Sequence, residues 1–246
     1  MNISIQPLGD SGVKVLFHEK VTPELNSAIQ EFCQKLSTHP INGVIEWVPA
    51  FDSVGIYYNL HSISYDEISN LIKKLHIKRI KSTVNTKRLV HIPVVYGGEY
   101  GPDLERVAKH SDCTTDEVVE LHQEGSYLVY MLGFLPGFPY LGGMTSRIAT
   151  PRLKEPRAKI TAGSVGIADT QTGIYPVQSP GGWNIIGRSP INLFDTNSSN
   201  PIVFRAGDYV KFYAISTDEF TNTKDKVENG IYELQSEIWN GGGTIE

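Results

Sequence analysis

Ile3, Ile5, Val13, Val15 and Phe17 alternate with more polar neighbours around a Gly9-Asp10-Ser11-Gly12 turn, the period of a strand pair with one buried face. Thr22-Pro23-Glu24 then supplies an N-cap, a proline at the first helical position and an early acid. Leu25, Ile29, Phe32 and Leu36 follow at helical spacing, so a helix begins here. Val44–Val48 and Val54–Tyr58 flank a Pro49-Ala-Phe-Asp-Ser53 turn and predict a hairpin. Ser64 and Glu67 have capping-box spacing ahead of Ile68, Leu71, Ile72 and Leu75, which predicts a second helix. The order β-β-α-β-β-α predicts a small two-layer α+β sandwich resembling a ferredoxin-like fold.

A second texture begins further on. Residues 1–96 hold four glycines, whereas 97–207 hold fifteen together with nine of the fourteen prolines, the mark of a loop-rich β unit. Polar Lys81-Ser-Thr-Val-Asn-Thr-Lys87 is the natural boundary. Leu89–Val95 contains Pro93, which cannot donate to a ladder, and is expected as an edge or entry strand. Gly101-Pro102-Asp103 opens a short helix with Leu104, Val107 and Ala108 on one face. Thr114 with Glu117 caps another that carries Val118, Leu121 and His122. From Tyr127 to Phe212, short β-favouring runs separated by turn residues predict a closed or nearly closed barrel. The expected division is 1–84 for the α+β domain, 85–235 for the barrel and 236–246 for a flexible tail.

Composition narrows the function classes. With 22 basic and 27 acidic side chains, a net charge of −5 and no basic tail, bulk nucleic-acid binding is disfavoured. Cys33 and Cys113 stand apart without metal-ligand spacing, as expected of thiols in a reducing cytoplasm, and no metal site is expected. The N-terminus lacks the pattern of a secretory signal. Residues 125–146 carry no charge over nearly a bilayer's span, yet Gly133, Pro136, Gly137, Pro139, Gly142 and Gly143 would break a lipid-exposed helix. A packed loop is expected there, and no membrane partner.

Four clusters could carry chemistry. In Gly133–Gly143, Phe134, Phe138 and Tyr140 supply rigid apolar walls, either a plug for the barrel or one side of a pocket. Pro151-Arg152 and Pro156-Arg157 repeat a pair that can present a planar guanidinium to carboxylate or phosphate, or can be a solvated run. Ala162–Ala168, Gln171–Tyr175 and Ser179-Pro-Gly-Gly-Trp-Asn184 are Gly-rich turns whose N–H groups can hold an oxyanion. They match neither GxxxxGK[ST] nor GxSxG, so no nucleotide cradle and no serine-hydrolase elbow is read here. Asp103 at a helix start and His122 on a helix are isolated polar candidates, each with an ordinary structural explanation.

Taken in order, Gly97-Gly-Glu-Tyr-Gly-Pro-Asp-Leu104, His122 followed by Tyr127, Gly133-Phe-x-Pro-Gly-Phe-Pro-Tyr-Leu-Gly142, Pro151-Arg152, Pro156-Arg157, Ala162–Ala168 and Ser179-Pro-Gly-Gly-Trp183-x-x-x-Gly-Arg188 closely resemble one family. It is the allophanate hydrolase subunit 1, or carboxyltransferase C–D domain, family, whose members include the B component of bacterial 5-oxoprolinase (PxpB) and the kinase inhibitor KipI. The resemblance implies a small α+β domain followed by a cyclophilin-like β-barrel. It also implies work beside 5-oxoprolinase subunits A and C, converting 5-oxo-L-proline to L-glutamate with hydrolysis of ATP by the complex and no cofactor bound by this chain. Carried over by position, catalytic roles fall on Asp103, His122, Arg152 and Arg157. Substrate-binding roles fall on Tyr127, Phe138, Tyr140, Ser164, Gln171, Tyr175, Ser179 and Trp183. Related domains in urea carboxylase transfer a carboxyl group from biotin, but these residues hold no Met-Lys-Met biotin motif. Two positions depart from the family's usual pattern: Thr161 replaces a proline and Asp169 a glycine. The resemblance also allows a KipI-like binding protein that inhibits a sensor histidine kinase.

Overall fold

The computed structural model describes residues 1–77 and 87–239, in two compact units, Met1–Asn85 and Thr86–Glu246. Of the polar boundary segment only Lys87 lies within the described residues, and the tail glycines Gly241 to Gly243 lie outside them. The first unit runs β1 (Ile3–Pro7), β2 (Gly12–Phe17), α1 (Pro23–Thr38), β3 (Val44–Pro49), β4 (Ser53–Tyr58) and α2 (Tyr65–Ile77), in the expected order. Its sheet is antiparallel with strand order β1-β2-β4-β3. That is the ferredoxin-like arrangement with its final strand moved to the front of the chain, so β1 takes an edge beside β2.

The caps form as the sequence predicts. The Thr22 hydroxyl accepts from the Leu25 N–H, and Ser64 and Glu67 exchange side-chain and backbone bonds. Val13, Val15, Val54 and Ile56 of the central strands are buried against Leu25, Ile29, Phe32 and Leu36 of α1 and Ile68, Ile72 and Leu75 of α2. Leu71, expected on the apolar side, is exposed: two helices share one sheet face, and the stripe of α2 narrows to positions 68, 72 and 75.

The second unit begins with β5 (Lys87–Tyr96), α3 (Leu104–His110), α4 (Thr115–Glu124), β6 (Tyr127–Leu132) and β7 (Pro139–Gly142). It continues through β8 (Arg157–Ile160), β9 (Ser164–Ala168), β10 (Gln171–Ile174), β11 (Ser179–Gly181) and β12 (Asn184–Arg188). It ends with β13 (Tyr209–Ala214), α5 (Thr217–Glu228) and β14 (Ser236–Trp239). Among the described residues seven strands, β12-β9-β10-β7-β6-β13-β5, close into a barrel when β5 returns to β12. This barrel stands where the resemblance implies a cyclophilin-like one. Val90, Ile92, Val129, Leu141, Val165, Ile167, Ile174, Ile186, Val210 and Phe212 fill its interior. Strands β8 and β11 form a separate ribbon.

Three expectations need correction, and one element was not expected. Strand β5 is not an edge: it pairs with β13 along Leu89–Val94, with β14 along Lys87–Val90 and with β12 at Val95 and Tyr96. Pro93 is tolerated because its missing N–H falls between the start of β14, where Ser236 faces Val90, and the end of β12, where Arg188 faces Val95, and no ladder bond is required there. Residues 125–146 are not one loop, since β6 and β7 run through them and the irregular turn between the two strands is confined to 133–138. Residues 236–239 are not a flexible tail: they add to β5, and Trp239 stacks on Tyr209 at 5.1 Å between centroids. Helix α5, absent from the sequence-based expectations, starts at a Ser216–Glu219 capping box and buries only Phe220.

Candidate functional site

Alternation along the barrel strands sorts side chains to its two faces. Val165, Ile167, Thr172 and Ile174 point inward, so Gly166, Ala168, Gly173 and Tyr175 face outward. Outside the wall Phe138, Ile160, Ala168, Tyr175, Trp183 and Ile185 form a second cluster, joined by Leu135 and Tyr140. The Phe138 ring is its hub, edge-on to Tyr140 (5.1 Å), Tyr175 (5.2 Å) and Trp183 (5.5 Å). The ribbon of β8 and β11 closes over it. Gly181 makes this approach possible, since a Cβ there would overlap the Tyr175 hydroxyl.

Phe138 and Tyr175 are each 1% exposed and Trp183 7%. They are a packed floor rather than the walls of an open cavity, so at these positions the plug reading describes the geometry. Burial pushes the Tyr175 phenol up to about 12. The Arg152 guanidinium, and more weakly that of Arg157, opposes the rise; Arg152 likewise opposes burial at Tyr140.

The two arginines differ. Arg157 is forked onto Asp103, with Nη1 to Oδ2 at 2.8 Å and Nη2 to Oδ1 at 2.7 Å. Asp103 Oδ2 also accepts the Ile185 N–H at 2.7 Å, while the Asp103 N–H donates to the Ile185 carbonyl at 2.9 Å. The Asp103 side chain makes no cap bond to α3, so its carboxylate serves Arg157 and β12 instead of the helix. Gly101 permits this docking, because a Cβ there would overlap the Ile186 carbonyl oxygen. Arg152, in contrast, is exposed and makes no ion pair among the described residues. Its Nε lies beside Gly182, next to the Trp183 turn.

His122 and Tyr127 belong to the barrel interior. The imidazole is wholly buried and stacks on Phe212 at 4.6 Å; Nδ1 meets the Tyr96 hydroxyl at 2.8 Å and Nε2 meets Thr172 Oγ1 at 2.9 Å. Thr172 Oγ1 gives its own proton to the Gly166 carbonyl, so Nε2 must be the donor and Nδ1 the acceptor from Tyr96. Burial pulls the imidazole down to about 3 and keeps it neutral. The Tyr127 hydroxyl donates to the His122 carbonyl at 2.6 Å, and burial pushes it upward. Neither side chain reaches the arginine face.

Of the remaining candidates, Ser164 is buried at the start of β9 opposite Arg188, and Gln171 is half-buried where β10 pairs with Ala168. Ser179 is buried in the ribbon opposite Ile160, with no hydrogen-bond partner for its hydroxyl. Asp169 occupies the β9–β10 turn at φ +52°, which accounts for glycine as the family's usual residue there. Mutual backbone bonds with Thr150 hold it in place. Two residues outside the sequence candidates join the site, Asn184 and Arg106. Asn184 ends the Ser179–Asn184 motif directly after Trp183, and Arg106 lies one helical turn beyond Asp103. Arg106 Nη1 donates to Asn184 Oδ1 at 2.8 Å. Among the described residues no His, Cys, Asp and Glu group could hold a metal ion, and no helix is long and apolar enough to cross a membrane.

Comparison with known proteins agrees with this architecture. The carboxyltransferase domain, subdomain C and D, matches residues 3–204. A Bacillus subtilis protein named as the B component of 5-oxoprolinase is 40% identical over 232 residues, 90% of this chain and 97% of that protein. The crystal structure of the Pyrococcus horikoshii protein PH0987 is 42% identical with a TM-score of 0.53, covering 88% of this chain and all of that one. K. lactis urea amidolyase shares the fold at 18% identity and a TM-score of 0.79, over 96% of this chain and 16% of that chain. The chain belongs to the carboxyltransferase subdomain C and D family.

Proposed function

We propose that this chain is the B component of a cytoplasmic ATP-dependent 5-oxoprolinase and that it contributes the Arg152 face to the substrate site. The observation that carries the reading is its near-full-length likeness to a protein of that name. The exposed guanidinium of Arg152, beside an aromatic floor and Gly-rich turns, supports it in chemical terms: a small carboxylate-bearing lactam offers one anionic group and one compact ring. The lactam of 5-oxo-L-proline is unactivated. Transfer of a phosphoryl group from ATP to the amide oxygen would make its carbon electrophilic, and water would then open the ring to give L-glutamate, with ADP and phosphate as the other products. This chain carries no nucleotide-cradling motif, so the reading assigns ATP to one of the partner subunits A and C.

Roles within the chain follow the geometry. Arg152 holds the anionic group, and the Gly-rich backbone N–H groups stabilise oxyanion charge. Arg157 fixes β8 and, being neutralised by Asp103, adds little attraction of its own. His122 is sealed inside the barrel and Asp103 has both oxygens engaged, so proton transfer falls to groups elsewhere in the complex. The purified chain should hydrolyse neither ATP nor 5-oxoproline, and mixing it with subunits A and C should give glutamate formation coupled to ADP release. Turnover by the chain alone, or none from the reconstituted mixture, would remove the proposal.

A further inference from the structure

Pro151, Arg152 and Leu153 belong to no strand, yet their backbone is tied down on either side of Arg152. The Asn184 Nδ2 group donates to the Pro151 carbonyl at 3.1 Å, and the Leu153 N–H donates to the Gly182 carbonyl at 2.7 Å. Pro151 has no N–H, so its carbonyl is the only main-chain polar group by which the chain can be held at that residue. We infer that Asn184 is a positioning residue that presents Arg152 to the ligand, holding the Pro151–Leu153 segment against the barrel wall. The inference deepens the proposed function and rests on Arg152 being the ligand-facing arginine.

The amide can do this in one orientation only. Arginine has no acceptor, so Asn184 Oδ1 must face Arg106 Nη1; carbonyls have no donor, so Nδ2 must face Pro151 and, at 3.0 Å, the Ile167 carbonyl of β9. Both Nδ2 protons are used, one on the fixed barrel wall and one on the otherwise irregular segment. Asn184 is wholly buried at the start of β12, so the anchor belongs to the rigid part of the unit. A guanidinium on a pinned backbone loses less freedom when it binds than one on a free loop. The adjoining Ile185 N–H is held by the carboxylate that forks Arg157, so two successive residues of one strand fix both arginine segments.

Asn184→Asp is the sharpest test. It keeps the shape and can pair with Arg106, but it replaces both donated bonds with oxygen facing oxygen. In the full-length chain, trypsin should cut the Arg152–Leu153 bond at least about tenfold faster than in wild type. Arg106→Leu, at an exposed position, should give a smaller increase of about two- to fivefold by freeing the amide to turn. In the reconstituted enzyme Asn184→Asp should raise KM for 5-oxoproline about tenfold with kcat nearly unchanged, and should add nothing once Arg152 is already alanine. Unchanged cleavage in both variants would overturn the inference, as would a KM effect that persists in the Arg152→Ala background. If wild-type assemblies fail to turn over 5-oxoproline, the functional reading falls, and the cleavage rates still decide the role of Asn184.

Discussion

Replacing His122 with alanine is expected to destabilise the barrel unit by about 4 kcal/mol or more. The side chain is wholly buried against Phe212, and losing a large buried ring costs about 3–5 kcal/mol. The Tyr96 hydroxyl would lose its acceptor as well, adding roughly 1 kcal/mol or more. The same residue sets a pH dependence. Its imidazole is held down at about 3 in the folded chain against 6.5 for the free group, so below pH 6.5 the unfolded chain takes up a proton that the folded chain refuses. Stability conferred by the neutral ring is complete above pH 6.5 and falls by up to about 1.4 kcal/mol per pH unit as the pH drops towards 3. Urea unfolding read by Trp183 and Trp239 in a Trp47→Phe background would follow the barrel alone. His122→Gln should flatten the slope between about pH 6 and pH 5, above the range where carboxylates titrate. An unchanged slope would mean that the imidazole is not the group responsible.

Arg157→Ala should cost about 2–3 kcal/mol, because it strands the Asp103 carboxylate, whose side chain is only 7% exposed, with a single remaining partner, the Ile185 N–H. The figure sits below the usual range for a broken buried pair because the Arg157 side chain is itself 34% exposed. Arg152→Ala should change stability by no more than about 0.5 kcal/mol, since no ion pair is lost among the described residues. Two arginines from one repeated Pro-Arg motif are thus expected to separate, one acting on the fold and the other on binding. Equal melting temperatures for the two variants would show that the Asp103 fork contributes nothing.

That separation also marks how far the sequence could be read. Helix starts were legible because a cap is local: Thr22, Ser64 and Thr114 each act within three residues of their partners. A closed barrel was legible from the short strand runs, but the place of β5 in it was not, because β5 pairs with β13 and β12 far along the chain and Pro93 gives the signal of an edge where it occupies a gap between two partners. Helix α5 carries the same capping box as α4 but only one buried side chain, so it lacks the apolar periodicity that exposes a helix. At the site, the motifs gathered Phe138, Tyr140, Tyr175 and Trp183 correctly in space, while composition could not say that Phe138 and Tyr175 are covered. The family resemblance gave His122 a catalytic role, but its burial in the barrel interior fits the ordinary structural explanation that the residues also allowed. Asn184 was missed because its role lies in three hydrogen bonds to segments distant in the chain.

The central claim is that the Arg152 face belongs to the substrate site of a 5-oxoprolinase. Its most direct test is the kcat/KM for 5-oxoproline of the reconstituted assembly carrying Arg152→Ala in this chain, beside wild type at matched subunit ratios. Loss of a charge-assisted hydrogen bond of roughly 1.5–3 kcal/mol predicts a fall of at least about tenfold, with the melting temperature of the chain unchanged. Wild-type kcat/KM in that variant would contradict the account.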